Sequence, residues 1–388
     1  MTLDGFFHCT ERGSSLGTEV RAGVTTFLMM AYIIVVNPQI LAETGMPLTD
    51  VVTATALAAA IACLVMGLVA NFPFALAPGM GLNAFFTYGV VLGVGIAWQT
   101  ALAASFVAGV LFLVLSNTGL RSKIINSIPN TLKLAVTSGI GLFLAIIGFK
   151  NMGLSVDHPA TLITRGSITD PSVYLSIVGV LLIGALMSRG VRGAILIGVT
   201  SLTVIFWIMG IAAPPEGLIA TPHFPSTTLF ALDFENALTI GFMMVVFSFL
   251  FVDVLDTAGT LIGVGRAGQF LDDQGRLPGA ERAFLADATG TAVGALVGTS
   301  PVTSYIESAA GIKEGGRTGL TAIVVALLFL LAIFFLPVIV AVPLSATGPA
   351  LVVVGAMMME GARDIDWQRI EGAIPAFLTI ATMPFTYS

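Results

Sequence analysis

Apolar residues in this chain are laid out in long blocks, and polar residues are confined to the short stretches between them. Gly23 to Val36 and Leu320 to Val342 are almost uninterrupted apolar runs. A helix of about 20 such residues spans a hydrocarbon core about 30 Å thick. A helix that is apolar on every side needs lipid or other helices around it. The blocks predict spans at 24–41, 51–70, 74–94, 97–115, 132–149, 173–187 and 193–211. After a segment holding Pro214, Pro215, Pro222 and Pro225 they resume at 237–254 (continuing toward Leu261), 283–297, 299–312, 320–338 and 344–359, with a thirteenth from near Ala373. The third and tenth are short and broken, the third by Pro78, Gly79 and Gly81.

Composition agrees with the pattern. Hydrophobic residues make up 56% of the 388 and charged residues 10%, against about 25% charged in an ordinary soluble domain. So few charges cannot cover a soluble surface, which excludes a soluble globular protein and leaves an all-α polytopic membrane protein. The segment Met1–Arg21 is polar with no cleavable signal, so the first span directs insertion. Basic residues orient the spans. With a cytoplasmic N-terminus the inside loops hold Arg12, Arg21, Arg121, Lys123, Lys133, Arg189, Arg192, Arg266, Arg276, Arg282, Lys313, Arg317, Arg363 and Arg369, and only Lys150 and Arg165 lie outside. That asymmetry is a positive-inside pattern, and it survives only if the third and tenth segments count as crossings. The 212–236 loop carries Glu216, Asp233 and Glu235 with no Lys or Arg, which suits the external side. Short loops and the lack of a targeting tail point to a bacterial inner (plasma) membrane.

The two broken spans lie seven apart. One reads Phe-Ala-Leu-Ala-Pro-Gly-Met-Gly-Leu-Asn-Ala-Phe-Phe to Phe86, the other Gly-Thr-Ser-Pro-Val-Thr-Ser-Tyr-Ile-Glu-Ser-Ala-Ala-Gly to Gly311. Each begins extended and has a proline followed by a polar residue, Asn83 or Glu307. An odd repeat of seven spans makes the second copy enter from the opposite side. Paired broken segments in such an inverted repeat point to a binding site near the midplane; the competing reading is packing kinks. Gly141 and Gly148 find a weaker echo in Gly348 and Gly355. The expected organisation is a tail over 1–23, a first repeat over 24–211, an extracytoplasmic loop over 212–236 and a second repeat over 237–388. That second repeat ends inside its thirteenth span, so the chain reads as truncated before a fourteenth.

Charges inside spans are costly and default to function. Asp253 and Asp256, three apart in the eighth span, share a helix face, with Thr257 and Thr260 on the same side. Glu307 lies midway through the tenth. Carboxyls there can take up and release protons during a transport cycle, with Asp256 or Asp253 as the carrier; the alternative is a structural hydrogen-bond network. Asp287, near Arg282, reads as a surface ion pair or helix-end contact. Asn83 reads as the N-cap of a half-helix, as a ligand contact, or both. Phe85, Phe86 and Tyr305 can stack on a flat ligand, with lipid or core packing as the competing reading. Cys9 and Cys63 form no disulfide framework or metal site, and His8, His158 and His223 read as solvated loop residues. There is no phosphate-cradling Gly-Lys-Ser loop and no catalytic constellation, so the chain is expected to be no enzyme, without cofactor or metal, and nothing in it points to nucleic acid.

Thr303–Gly311, Glu314–Thr321, Pro78–Phe86 and Val252–Thr260 resemble the azaguanine-like purine permeases of the nucleobase–cation symporter superfamily, and the resemblance covers essentially the whole chain. It implies fourteen spans in seven-plus-seven inverted repeats, divided into core and gate domains, with short antiparallel strands in spans three and ten. It implies proton-driven uptake of hypoxanthine, guanine or adenine. By motif, Glu307 and Asp253 would hydrogen-bond the purine, Asn83 would shape or touch the site, and Asp256 would support coupling. The wider superfamily forms gate-domain dimers, so a homodimer is among the expectations. The alternatives are an anion carrier of the sulfate-transporter type and a uracil or xanthine carrier, although the signature of the latter after the tenth span is not found here. A membrane aspartyl protease needs its aspartates on two helices, whereas Asp253 and Asp256 share one; a channel would not require titratable carboxylates.

Overall fold

The structure, a computed structural model, describes residues 3–116, 129–235, 237 and 239–386. Arg121 and Lys123, two of the expected inside-loop cations, lie outside them. In chain order the helices are α1 (Leu3–Phe7), α2 (Leu16–Met30), α3 (Ile33–Ala42), α4 (Leu48–Val65), α5 (Met80–Ala84), α6 (Trp98–Ser116), α7 (Asn130–Asn151) and α8 (Pro171–Ser188). They continue with α9 (Ala194–Ile208), α10 (Ile240–Ala267), α11 (Ala280–Val297), α12 (Ser308–Lys313), α13 (Gly319–Ala332), α14 (Leu336–Val340), α15 (Leu344–Met358) and α16 (Ile370–Thr386). The strands are β1 (Leu76–Pro78), β2 (Ser155–His158), β3 (Leu162–Arg165) and β4 (Val302–Ser304). α4 and α5 run on into π-helical turns over Met66–Ala70 and Phe85–Val94.

Each predicted span finds its counterpart, the first in α2 and α3 together, the third and tenth each in a strand followed by a helix; the largest boundary differences are the start of the first at Leu16 and the end of the eighth at Ala267. Among the described residues eight helical stretches are long and apolar enough to cross a bilayer, and shorter apolar helices cover Met80–Val94, Ala194–Ile208 and Ile370–Thr386. The stretch Gly319–Val340 has a mean hydropathy of 3.3, yet only 28% of its window is buried. Leu327, Leu331, Phe334 and Phe335 on it are exposed. In water that surface would cost roughly 25 cal/mol per Å²; in lipid it costs nothing. The chain is a multi-pass membrane protein. The ninth span, α11, is poorer in large apolar residues because Ala, Gly and Thr dominate it. It packs against α4 and α6, so protein surrounds much of it.

The chain divides into two compact units, each drawn from both halves: Met1–Ser127 with Ala220–Leu336, and Ile128–Ile219 with Pro337–Ser388. The first takes spans one to four and eight to eleven, the second the rest. This interleaving is what an inverted repeat with a core and a gate domain requires. In the first unit, Phe86, Leu102, Phe242, Val246 and Phe249 are among the buried residues of one apolar cluster. The loop that leads into α10 is tied back onto the start of α4. His223 Nε2 lies 2.7 Å from Asp50 Oδ1 and Thr227 N donates to Asp50 Oδ2 at 2.8 Å. His223 is therefore not the freely solvated residue expected of a loop histidine: a buried carboxylate claims its ring.

In the second unit α7 and α15 cross at glycines. A Cβ on Gly148 would sit 2.7 Å from Gly348 O, and one on Gly348 would sit 2.8 Å from Gly148 O. Gly141 meets Gly355 in the same way, at 2.5 Å from its carbonyl oxygen. Seven residues down one helix match seven up the other, so the faint glycine echo in the sequence is a pair of antiparallel backbone contacts. Small residues permit this close approach in membranes. Gly148→Leu is expected to destabilise this unit by about 3 kcal/mol, the upper end for overpacking, because the obstructing atoms are backbone. That outweighs the roughly 0.5–1 kcal/mol a glycine costs inside a helix. Thermal unfolding of the purified variant in detergent checks it, and a wild-type midpoint would contradict the crossing. The β2–β3 hairpin, paired from Ser155↔Arg165 to His158↔Leu162, was not legible in the sequence.

Candidate functional site

The two broken spans meet as strands. β1 and β4 pair antiparallel, Leu76 opposite Ser304, Ala77 opposite Thr303 and Pro78 opposite Val302. Flanking bonds from Gly79 N to Pro301 O and from Tyr305 N to Ala75 O, both 2.9 Å, close the ladder. Antiparallel pairs alternate between bonded and non-bonded positions. Leu76, Pro78, Ser304 and Val302 occupy the positions whose backbone groups face outward, so the N–H that Pro78 lacks is not missed. Outward groups must still be satisfied away from water. Leu76 N donates to Cys63 Sγ at 3.1 Å, and the thiol donates back to Leu76 O at 3.2 Å. On the other strand Val302 N donates to the Thr291 hydroxyl at 3.1 Å, which lies 2.9 Å from Val302 O. Cys63 on the second span and Thr291 on the ninth thus do the same work for the two copies of the repeat.

Asn37, in α3, joins the pieces. Its amide donates to Thr55 Oγ1 at 2.7 Å and Thr299 Oγ1 at 2.9 Å. Its carbonyl accepts from Asn83 Nδ2 at 3.0 Å and Ser300 Oγ at 3.2 Å. An amide offers two donors and two acceptor sites, and Asn37 uses all four, linking spans one, two, three and ten. Asn83 is left with an unpartnered carbonyl oxygen in a fully buried side chain.

The carboxylates gather around the same strands. Glu307 is 8% exposed and accepts from the Tyr32 hydroxyl at 2.8 Å; Tyr32 sits at the break between α2 and α3. Asp253 Oδ2 lies 2.9 Å from the Thr291 hydroxyl, whose single hydrogen it shares as an acceptor with Val302 O. Asp287 Oδ1 accepts from Thr257 at 2.8 Å and Ser304 at 3.4 Å. Asp256 is half-buried and lies about one turn along α10 from Asp253. Chemically this is a set of hydrogen-bond acceptors around two polar strand-to-helix breaks. Among the described residues no group of three or more metal-ligating side chains stands together.

The family described as Permease family matches residues 17–388. The chain belongs to it. This permease is 51% identical over 386 residues to a protein of Methanocaldococcus jannaschii whose name goes no further than permease, with 100% of this chain and 88% of that one covered. It is 43% identical over 389 residues to the guanine/hypoxanthine permease PbuO of Bacillus subtilis, covering 98% and 90%. It is 42% identical over 386 residues to the adenine permease AdeP of Escherichia coli, covering 100% and 86%. Among solved structures it resembles the transmembrane domain of the cyanobacterial bicarbonate transporter BicA, with a TM-score of 0.72 at 15% identity over 96% of this chain and 97% of that one. It also resembles murine Slc26a9 in the inward-facing state, with a TM-score of 0.68 at 10% identity over 95% and 66%. These likenesses show the fold, the seven-plus-seven inverted repeat, and the family is one of transporters, not enzymes.

The permease brings most of its sequence-predicted site residues to the strand pair, with corrections. Asn83 is not an N-cap: α5 starts at Met80 behind Gly79, and Asn83 N bonds to Gly79 O at 2.9 Å inside the helix. Tyr305 is not a free ring; its hydroxyl donates to Pro78 O at 2.6 Å and braces one strand against the other. Phe85 packs edge-on to Phe249 with ring centroids 5.4 Å apart. Asp287 is no surface ion pair: it is fully buried, because α11 begins at Ala280 and carries it about 10 Å inward at 1.5 Å per residue. Asn37, Tyr32, Thr291 and Cys63 were missed. Asn37 did carry a signal, an amide that with Gln39 interrupts an apolar run.

Proposed function

We propose that this permease is a secondary active transporter that imports purine nucleobases (hypoxanthine, guanine and adenine) together with protons by alternating access. The observation that carries the reading is Glu307, a buried carboxylate fixed by Tyr32 at the start of the tenth-span helix, with Asn83 and Asp253 presenting further acceptors from the third and eighth spans. A purine edge offers N–H donors. Acceptors on a rigid strand-to-helix break recognise it with little reorganisation, and charge-assisted bonds of this kind are about twice as strong as neutral ones. Glu307 and Asp253 hold the base in this reading, with Asn83, Phe85 and Tyr305 shaping its pocket and Asp253 or Asp256 carrying the proton. The names of the Bacillus subtilis and Escherichia coli relatives support purines as substrates. The cluster of carboxylates disfavours an anion such as bicarbonate, which it would repel. The repeats run over 24–211 and 237–388, the N-terminus is cytoplasmic, the membrane is the bacterial inner membrane, and the gate units form a homodimer.

The test is uptake of labelled hypoxanthine by cells lacking their own purine transport. Expression of this protein is expected to confer accumulation that an uncoupler abolishes and that excess adenine or guanine competes away. Uptake indifferent to the uncoupler would remove proton coupling, and no uptake of any purine would remove the substrate class.

A further inference from the structure

We propose that residues 7–19 and 223–233 are corresponding arms of the inverted repeat, each clasping the ends of the two broken spans from its own face of the membrane, and that Glu19 and Asp233 are positioning residues for the site on β1 and β4. The first clause stands on geometry alone; the second rests on the purine-uptake reading.

The two arms make matching contacts. Each repeat's second crossing ends in a residue with a left-handed backbone, Asn71 at φ 51° after α4 and its π-helical turn, and Gly298 at φ 101° after α11. The first arm holds Asn71. Arg12 Nη1 donates to its carbonyl at 2.8 Å, and its side-chain amide donates to Phe7 O at 3.2 Å. The second arm holds the turn at Gly298. Thr228 Oγ1 donates to Val297 O at 3.0 Å, Phe230 N donates to Leu296 O at 2.7 Å, and a Cβ on Gly298 would collide with Thr228. Each arm then brings a carboxylate to the helix that follows the other repeat's broken span. Glu19 Oε2 accepts at 2.6 Å from the hydroxyl of Thr321, the third residue of α13. Asp233 Oδ2 accepts at 2.9 Å from the hydroxyl of Thr100, the third residue of α6. Glu19 also accepts from Arg317 N at 2.9 Å and Thr318 N at 3.3 Å, the favourable place for an anion at a helix start. Asp233 N donates to Gln99 O at 3.2 Å.

Each arm thereby ties a residue just ahead of one strand to a residue just beyond the other broken span. Asn71 precedes β1, and Thr321 follows α12, the helix behind Glu307. Gly298 precedes β4, and Thr100 follows α5, the helix that carries Asn83. These elements need such ties. The strands are three residues long, and α5 and α12 five and six, lengths at which neither a helix nor a strand pair is stable by itself. His8 in the first arm and Phe230 in the second both have positive φ, 58° and 55°. Residues other than glycine rarely take that backbone unless their surroundings impose it, so both arms are held in a set shape. Packing alone would explain either arm taken singly. It does not explain a hold on the left-handed turn and a carboxylate on the third residue of the next helix occurring twice, at corresponding places in the two repeats.

The experiment uses the full chain and has a readout that needs no substrate. Cys9, in the first arm, is fully buried with its thiol 3.6 Å from Thr318 Oγ1, and Cys63 is the chain's one other cysteine. Alkylation by N-ethylmaleimide in lipid nanodiscs, read at each cysteine by peptide mass, therefore reports release of the first arm. Glu19→Ala is expected to speed labelling of Cys9 by about tenfold or more, as local opening becomes easier, and to leave Cys63 unchanged. In cells, Glu19→Ala and Asp233→Ala are each expected to raise the KM for hypoxanthine about tenfold, the factor given by loss of one hydrogen bond to a charged group, while Vmax per copy in the membrane is kept. Thr321→Val and Thr100→Val remove the same two bonds from the other side and are expected to repeat the rise, whereas Thr321→Ser and Thr100→Ser keep the wild-type KM. Cys9 labelling at the wild-type rate in Glu19→Ala overturns the clasp. Less protein in the membrane at a wild-type KM, or a rise on one face and not the other, overturns the positioning role. If Glu19→Ala does not fold, Thr321→Val supplies the same labelling comparison. If wild type takes up no purine, the uptake reading fails, and Cys9 labelling alone decides the arm.

Discussion

Glu307→Gln is expected to cut hypoxanthine uptake by about a hundredfold or more at equal protein in the membrane, and Glu307→Ala to abolish it. The size follows from the bonds at stake. Hydrogen bonds to a charged group contribute about 1.5–3 kcal/mol each, and a purine edge that meets Glu307 with two N–H groups stands to lose about 3–6 kcal/mol. At 1.4 kcal/mol per factor of ten, even the lower figure is more than a hundredfold. Glutamine keeps the shape and one acceptor but turns a donor toward the base, so it saves little. Tyr32→Phe, which removes the 2.8 Å bond fixing the carboxylate, is expected to cost less, because the charge stays and only its orientation is loosened. Uptake by Glu307→Gln at the wild-type rate would return Glu307 to a structural role.

The second large effect is on folding. Asn37→Ala is expected to lower stability by about 3–5 kcal/mol, since an unmade hydrogen bond on a buried polar group costs about 1–3 kcal/mol and four partners lose theirs. Thr55, Thr299 and Ser300 can turn their hydroxyls toward nearby carbonyls. The amide of Asn83, with no exposed surface, has no such freedom, so its desolvation dominates the cost. Buried networks of this kind stand or fall together. The check is the unfolding midpoint of the purified variant in detergent, with the same change at Thr53, which bonds within its own helix at 3.3 Å, as a control. An Asn37→Ala midpoint equal to wild type would show that the four spans are not held by this side chain.

Much of this architecture can be read from one sequence because lipid is a demanding solvent. It forces nearly every crossing into an apolar helix of standard length, so the fifth span, expected at 132–149, appears as Asn130–Asn151. It also makes exceptions conspicuous: Pro78, Gly79 and Glu307 mark the breaks because helix breakers and carboxylates are rare at that depth. Hydropathy cannot say which polar groups will face one another. Asp287 looked peripheral because Arg282 lies near it in sequence, and the residue whose hydroxyl donates to it, Thr257, is 30 positions away. Tyr305 looked like a stacking platform because its partner, the carbonyl of Pro78, exists only once the two strands have paired. Cys63 is a single thiol in a helix whose apolar pattern it barely disturbs, and Asn37, though visible as a polar residue, shows its role only once the four spans it links have converged.

The most direct test of the whole account is made in proteoliposomes containing the purified protein and a pH-sensitive dye, with no imposed ion gradient. Adding hypoxanthine outside should acidify the interior, in proportion to the purine taken up and only while Glu307 is present. Uptake of hypoxanthine without acidification, or acidification that persists in Glu307→Ala, would contradict a proton-coupled purine carrier built on this site.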